Sequence, residues 1–142
     1  MIHKDKVSAG VAYLLDTNNA SYIMRNDKPA LTSRMAHVPP SSLAVSSVTE
    51  AELRFGVERR PERQLSAAAD FFLRHISILP WDSAAARSYA GLRIDLEMRG
   101  KLLGLHDMMI AAHALALGAT LVSHDKAFTR IKSLKVADWT KA

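Results

Sequence analysis

Short apolar runs alternate with longer segments of helical character, and this alternation limits the fold of the chain more than any other feature. Apolar runs occupy residues 11–15, 43–47, 76–81 and 120–125, and 133–139 is a candidate for a last one. Strands that are separated by helices need crossover connections, which produce parallel pairing. A parallel sheet is covered by helices on both faces. The pattern therefore predicts an α/β fold with a central parallel sheet.

The segments between these runs carry the start and stop signals of helices. Asp82 is placed to cap the start of a long helix, and Gly100 is placed to end it. Pro39 and Pro40 stop an earlier helix, because proline cannot continue one. The predicted helices are 18–25, 29–37, 48–58, 62–75, 82–100 and 106–119. The apolar stripe of the long helix comprises Ala85, Tyr89, Leu92 and Leu96.

Size and composition are those of one compact unit. The chain has 142 residues, of which 49% are hydrophobic, and this is enough for a substantial core. It contains no cysteine, which excludes disulfides, thiolate zinc sites and a cysteine nucleophile and suits a cytoplasmic protein. No apolar stretch reaches the roughly 20 residues of a membrane span, and we expect no signal peptide.

The net charge of +5 leaves two interpretations open. Basic residues, among them Arg54 and Arg59, gather in "LRFGVERRPERQ", and others lie near the C-terminus. They form either an ordinary solvated surface or a surface for a polyanion such as a phosphate backbone. Arg93 borders the stripe of the long helix, where it could reach a phosphate or form a salt bridge.

Two acids follow apolar runs directly. Asp16 comes at the end of the first run, and Asp125 comes where "TLVS" ends. Ligand sites of parallel sheets form beyond the carboxyl ends of the strands, so we expect both carboxylates at one rim. Each also has a structural interpretation, because aspartate is a common N-cap after a strand.

Two further acids lie on helices. Ser47 to Glu50 has the pattern of a capping box, which gives Glu50 a structural role. Glu52 has no such explanation, because helical spacing from Val48 and to Phe55 turns it toward the apolar face. An inward acid needs a basic partner or a cation.

Asp107 opens the most apolar helix, where the helix dipole favours an anion. If Asp107 lies close to Asp16, Glu52 and Asp125, the four negative charges repel one another and destabilise the folded protein. Two like charges about 4 Å apart repel by on the order of 4 kcal/mol at an effective dielectric of about 20. The acids would then take up protons or hold a divalent cation. Oxygen ligands alone favour Mg²⁺ or Mn²⁺, which can promote phosphodiester hydrolysis.

In this order and spacing, five stretches resemble the PIN-domain ribonucleases, and among them the VapC-type toxins of bacterial toxin–antitoxin pairs. They are "YLLDTN" (13–18), "SSVTEAELRFGVE" (46–58), "ILPWDSAAARSYAGLRIDLEMRG" (78–100), "HDMMIAAHALALGATLVSHD" (106–125) and "LKVADWT" (134–140). The resemblance implies a three-layer α/β/α sandwich over residues 12–142 as a single PIN domain. Residues 1–11 precede its usual start and are expected to be an extension, with flexibility left open.

The resemblance also implies roles for particular residues. The acidic quartet of the family falls on Asp16, Glu52, Asp107 and Asp125 as catalytic and metal-binding residues. The supporting polar positions fall on Thr17, Asn18 and Ser123. Arg54, Arg59 and Arg93 are the candidates for contact with RNA. Many relatives have asparagine where this chain has His124, which bears on the fine geometry of the site.

The implied activity is Mg²⁺- or Mn²⁺-dependent endonucleolytic cleavage of tRNA or ribosomal RNA, which stops translation. The implied partners are the RNA, a second copy of the chain in a homodimer, and a cognate VapB-type antitoxin. The antitoxin fills the active site, often with an arginine, and carries the complex to its own promoter DNA. The alternative is a catalytically silent PIN-like module that binds RNA or a protein.

Overall fold

The computed structural model describes residues 10–141, and its centre is a sheet of five parallel strands. Their order across the sheet is β3-β2-β1-β4-β5. The strands are β1 (Tyr13–Leu15), β2 (Leu43–Ser46), β3 (Ser77–Leu79), β4 (Thr120–Val122) and β5 (Val136–Ala137). The predicted parallel sheet is confirmed, including the strand near the C-terminus.

The central strands are buried on both faces, which explains why their sequences do not alternate with polar residues. Leu14 of β1 and Leu121 of β4 are fully buried in one hydrophobic cluster. Their neighbours Leu15 and Val122 are fully buried in a second cluster. Since successive side chains of a strand point to opposite faces, the sheet separates two cores.

Six α-helices cover this sheet within residues 10–141 and complete the predicted α/β/α sandwich. They are α1 (Thr17–Arg25), α2 (Pro29–Met35), α3 (Ser47–Arg59), α4 (Arg63–His75), α5 (Ser83–Met98) and α6 (Leu105–Leu117). Short 3-10 turns span Pro40–Ser42 and Lys126–Arg130. No helix in this part of the chain is long and apolar enough to cross a membrane.

The ends of α5 confirm the predicted signals. The Asp82 carboxylate accepts a hydrogen bond from the backbone N–H of Ala85 at 3.1 Å. Gly100 follows the helix with a φ of +65°, a left-handed conformation that glycine adopts without strain. Within the stripe, Ala85 and Leu96 are fully buried.

The predicted capping box at Ser47 is wrong by one residue. The N-cap of α3 is Ser46, whose Oγ accepts from the N–H of Val48 at 3.1 Å. Ser47 Oγ accepts instead from the backbone N–H of Trp81 at 3.0 Å. The carboxylate of Glu50 accepts from Arg54 one turn later, at 2.8 Å. A competing tertiary partner thus decides which of two adjacent serines begins the helix.

Of the predicted extension, 1–11, residues 1–9 lie outside the described residues. Val11 is buried with Leu14 in the first cluster. The division into an extension and a single domain over 12–142 stays a prediction.

Candidate active site

Asp16 and Asp125 lie at the carboxyl ends of adjacent strands, as the sequence predicts. β1 and β4 are parallel neighbours, with Leu15 in register with Val122. Asp16 Oδ1 accepts from the N–H of Asn19 at 2.8 Å and caps α1. Asp125 Oδ1 accepts from the N–H of Ala127 at 2.9 Å and caps the following turn. Each acid is therefore an N-cap, and each cap lies at the edge of the sheet where the strands end. We call this edge the rim.

Ser123 connects the two strand-end acids. Its side chain is buried and hydrogen-bonds to the Asp16 carboxyl. The same Oγ accepts from the backbone N–H of Asp125 at 3.0 Å. The serine thus fixes the loop after β4 relative to the end of β1, which is consistent with its predicted supporting role.

The predicted inward placement of Glu52 is wrong, because the buried residues of α3 are Thr49 and Leu53. Glu52 lies partly buried on the side of Phe55, which is 61% exposed, and two neighbours hold its carboxylate. Thr17 Oγ1 donates a short hydrogen bond to Glu52 Oε1, and it lies 3.0 Å from Thr49 Oγ1. On the other side, His106 Nδ1 lies 3.0 Å from Glu52 Oε2. The carboxylate is oriented from α1 and from α6, although its side chain keeps 28% of its surface exposed.

A buried hydrogen bond positions the start of α3. His113 of α6 is buried, and its Nδ1 lies 2.8 Å from Oγ of Ser46, the N-cap of that helix. Burial lowers the pKa of His113 below its ordinary value, so the neutral ring is favoured. This contact fixes the helix that carries Glu52 against the helix that carries Asp107.

Asp107 is the third residue of α6, and it lies within electrostatic range of all three other acids. Burial raises the pKa of Asp107, and the charges of Asp125 and Glu52 raise it further. Burial also raises the pKa of Asp16, and the charge of Asp107 adds to this effect. Hydrogen bonds from Ser123 and Asn19 lower the pKa of Asp16 in part. Asp107 thus interacts electrostatically with each of the other three acids.

The carboxylates of Asp16, Glu52 and Asp125 bond to protein donors rather than closing on one point. Within residues 10–141, no three side chains of Asp, Glu or His are close enough to form a preformed cation site. Mutual repulsion explains why these carboxylates lie apart, because four anions without a counter-ion are more stable when they are separated. The donor set consists of hard oxygens, which suits Mg²⁺ or Mn²⁺, and the cluster fits such an ion in chemistry.

The two asparagines after Asp16 have different environments. Asn18, the predicted supporting residue, is exposed to solvent, whereas Asn19 is fully buried. Asn19 Nδ2 donates to the carbonyl of Val122 at the end of β4, at 2.9 Å. The sequence interpretation missed Asn19, whose only signal is its position three residues after an N-cap.

Replacing Asn19 with alanine is expected to lower the free energy of unfolding by about 0.5–1.5 kcal/mol, since one buried hydrogen bond would be lost while the Val122 carbonyl keeps the backbone N–H of Asp16 at 3.1 Å. The measurement is urea unfolding of the purified protein. Asn18→Ala is the matched control, and its exposed position predicts a change within about 0.5 kcal/mol. Equal unfolding midpoints for the two variants would contradict a structural role for Asn19.

The three predicted RNA-contacting arginines already have partners in the protein. Arg54 donates to Glu50, and Arg93 donates to Tyr89 Oη at 2.9 Å and lies 3.4 Å from Glu97. The salt-bridge alternative for Arg93 is therefore observed. Arg59 lies over the Phe55 ring, 5.7 Å from its centroid. Contact of these residues with RNA stays a prediction.

His124, at the position where many relatives have asparagine, lies beside the rim. Its ring centroid is 5.6 Å from that of Tyr22. Its charge lowers the pKa of Asp16. The histidine therefore places an aromatic ring beside the rim where many relatives have an amide.

Comparison with known proteins agrees with the observed fold. The family model of the PIN domain matches residues 13–134, which is most of the chain. The chain belongs to the PIN-domain family. Its carboxylate rim is thus found on a PIN fold, and the resemblance noted in the sequence is confirmed.

Curated relatives place this PIN domain among the VapC ribonucleases. Ribonuclease VapC2 of Rickettsia felis is 33% identical over 132 residues, which cover 91% of this chain and 98% of the relative. The tRNA(fMet)-specific endonuclease VapC of Shigella flexneri is 34% identical over 131 residues, covering 90% and 98%. The DNA-bound VapBC structure from Salmonella typhimurium contains a chain that superposes with a TM-score of 0.83 at 30% identity, covering 91% and 98%.

Proposed function

We propose that this PIN-domain protein is a metal-dependent endoribonuclease and the toxin of a type II toxin–antitoxin pair. The observation that supports the proposal is the electrostatic interaction of Asp107 with Asp16, Glu52 and Asp125, on a fold whose adjacent strands β1 and β4 end at one edge of the sheet. The relative from Shigella flexneri is named for its action on tRNA(fMet). We infer that tRNA is the first substrate to test and that ribosomal RNA is the second.

The four carboxylates would hold Mg²⁺ or Mn²⁺ in this proposal. When bound, the ion supplies positive charge against the phosphodiester and its leaving oxygen. Thr17 and His106 keep Glu52 turned toward the rim. Ser123 holds Asp16 and the Asp125 backbone in a fixed relation. In this proposal the protein thus orients Glu52, Asp16 and the Asp125 backbone toward a position that RNA can approach.

An antitoxin is the proposed protein partner, because the Salmonella structure is a VapBC complex on DNA. This chain offers an apolar groove of about 660 Å³ between α1, α2 and α4, away from the rim. Residues that line the groove include Ile23, Met35, Leu43, Ala67 and Phe72. We infer that an apolar segment of the antitoxin covers this groove, that another part reaches the rim, and that the antitoxin carries the complex to promoter DNA.

A homodimer is the proposed state of the toxin. Ile94 and Met98 lie one turn apart on α5 and are 58% and 83% exposed, which is unusual for large apolar side chains. A second copy of this face would cover them. We further infer a cytoplasmic location, where tRNA is available.

The metal dependence is tested by thermal unfolding with increasing Mn²⁺ after treatment with EDTA. An ion that binds only the folded state stabilises it by about 2.7 kcal/mol at about 100 times its Kd, so Tm is expected to rise. The same titration of Asp16→Asn, which removes one ligand charge, is expected to show a smaller rise.

RNA cleavage is measured in parallel by incubating total RNA with the protein and sequencing the new 5′ ends. Cleavage that requires Mg²⁺ or Mn²⁺ and stops in EDTA is the expected result. Binding of RNA without cleavage, together with an unchanged Tm in Mn²⁺, would favour the silent module instead.

A further inference from the structure

Two arginines join the chain segment that leads into Asp107 to the segment that follows Asp125. Arg130 Nη1 donates to the backbone carbonyl of Leu102 at 2.8 Å. In return, Arg99 Nη2 donates to the backbone carbonyl of Arg130 at 3.0 Å. Leu102 lies five residues before Asp107. Arg130 lies five residues after Asp125. We call this reciprocal pair of hydrogen bonds the arginine clasp.

Regular structure lies between the clasp and each of the two acids. On one side, Gly104 is the N-cap of α6, and Asp107 is the third residue of that helix. On the other side, Asp125 caps the 3-10 turn that ends at Arg130. Because the helix and the turn hold their own shape, a change in the distance between the clasped segments would also change the distance between the two acids.

The segment before α6 has few other polar contacts. Within residues 10–141, Leu102 and Leu103 take part in no backbone–backbone hydrogen bond. Leu103 is buried in the same hydrophobic cluster as Phe128 of the 3-10 turn and Ile131 after it. Apolar packing is not directional, so the clasp supplies the contacts that fix how the segment lies against the turn.

The charges of the two acids act against the clasp. The charge of Asp125 raises the pKa of Asp107 more than the charge of Glu52 does. Without a cation between them, two carboxylates that repel favour separation of the segments that carry them. The clasp opposes this separation through backbone atoms and leaves the carboxylates free to bind an ion.

We propose that Arg130, together with Arg99, is a positioning residue that holds Asp107 and Asp125 at the separation that a divalent cation requires. This inference rests on the proposed ribonuclease function and deepens it. Groups that orient metal ligands without touching the metal change its affinity by about 10- to 100-fold. Arg99 also donates to Asp95, and an asparagine there would still offer an oxygen acceptor, so the clasp does not depend on the charge of Asp95.

The test replaces Arg130 with methionine, which keeps a long side chain and removes its donors. Binding of Mn²⁺ to protein freed of metal with EDTA and then dialysed is measured without RNA, by electron paramagnetic resonance of the unbound ion. The Kd for Mn²⁺ is expected to rise about 10-fold. Arg130→Lys retains a donor and is expected to recover most of the affinity. Arg99→Met breaks the other bond of the clasp and is expected to raise Kd as well, so the proposal does not depend on one variant.

Arg87→Met is the matched control, because Arg87 is an exposed arginine of α5 outside the clasp. It is expected to bind Mn²⁺ like the wild type. Cleavage of tRNA gives a second readout. At limiting Mn²⁺, Arg130→Met is expected to cut about 10-fold more slowly than the wild type, and saturating Mn²⁺ is expected to restore kcat.

The outcomes separate the clasp from the ribonuclease function. If Arg130→Met binds Mn²⁺ as tightly as Arg87→Met, the positioning proposal is wrong while the ribonuclease function stands, and a raised KM for tRNA would then assign Arg130 to RNA contact. If the clasp variants weaken Mn²⁺ binding but the wild type cuts no RNA, the ribonuclease function fails and the clasp stands. If the wild type binds no Mn²⁺, the positioning role and the metal dependence are both wrong.

Discussion

Replacing Asp107 with asparagine is expected to reduce RNA cleavage by at least about 100-fold and to make the metal-free protein more stable. Loss of one positioned electrostatic group in an active site costs about this much in rate. Asp107 is the acid on which the charges of Glu52 and Asp125 act directly. The substitution removes that repulsion and retains the size of the side chain.

The stability that Asp107→Asn adds should depend on pH. Whether it rises or falls with pH follows from the direction in which the pKa of Asp107 is shifted. The pKa of Asp107 in the folded protein lies above its ordinary value of 3.8, so the folded state holds the proton more tightly than the unfolded chain. The contribution of this group to stability is therefore fully present below the ordinary pKa. It is lost as pH rises through the pKa of the folded state. Above that pH, metal-free Asp107→Asn should unfold at a higher temperature than the wild type.

Asp95→Asn is the matched control for this experiment. Asp95 is an exposed acid on α5 that bonds to Arg99 at 2.7 Å, and Arg99 lowers its pKa. The same chemical change there should leave cleavage unaffected and should not raise Tm. Cleavage is measured on tRNA in Mg²⁺, and unfolding is followed in EDTA across acid and neutral pH. If Asp107→Asn retains wild-type cleavage, the acid cluster is not the catalytic site.

The fold and the sheet edge on which Asp16 and Asp125 lie could be predicted because both depend on local patterns that the topology preserves. Alternating strands and helices leave few arrangements other than a parallel sheet, and adjacent parallel strands bring their ends to one edge. Asp16 and Asp125 follow strands that end at the same edge for this reason. Helical spacing correctly groups Glu52 with Val48 and Phe55, but it does not show that this side of α3 is partly exposed rather than inward, since Phe55 is 61% exposed.

The contacts that orient the acids could not be predicted, because they join residues that are far apart in the chain. His106 contacts Glu52 across 54 positions, and Asn19 contacts the Val122 carbonyl across 103. The periodicity of apolar residues along the sequence does not indicate contacts between residues so far apart. Phe55 shows a second limit of prediction from sequence. Helical spacing gives the side of α3 on which Phe55 lies, but it does not give how much of its side chain is exposed. Whether an aromatic residue enters the core or lines a pocket depends on what the neighbouring elements leave uncovered.

Replacing Ala67 with aspartate in the apolar groove is expected to weaken antitoxin binding strongly while RNA cleavage by the free toxin is unchanged. Ala67 is an exposed residue of α4 that lines the groove, so a larger side chain there should not disturb the core. A charge covered by an apolar partner segment loses its hydration without gaining a counter-ion. Near the centre of an interface, such changes cost about 2–4 kcal/mol, or about 30- to 1,000-fold in Kd.

The measurement uses a VapB-type antitoxin that binds the wild-type toxin, and Kd is determined by calorimetry. Ala86→Asp is the matched control, because it places the same charge on an exposed position near the start of α5, outside the groove. Co-expression gives a second readout, since Ala67→Asp should inhibit growth even when the antitoxin is present. An affinity equal to that of Ala86→Asp would mean that the antitoxin leaves the groove uncovered. Neutralisation would then depend on contacts at the carboxylate rim, and substitutions at the rim would impair cleavage and neutralisation together.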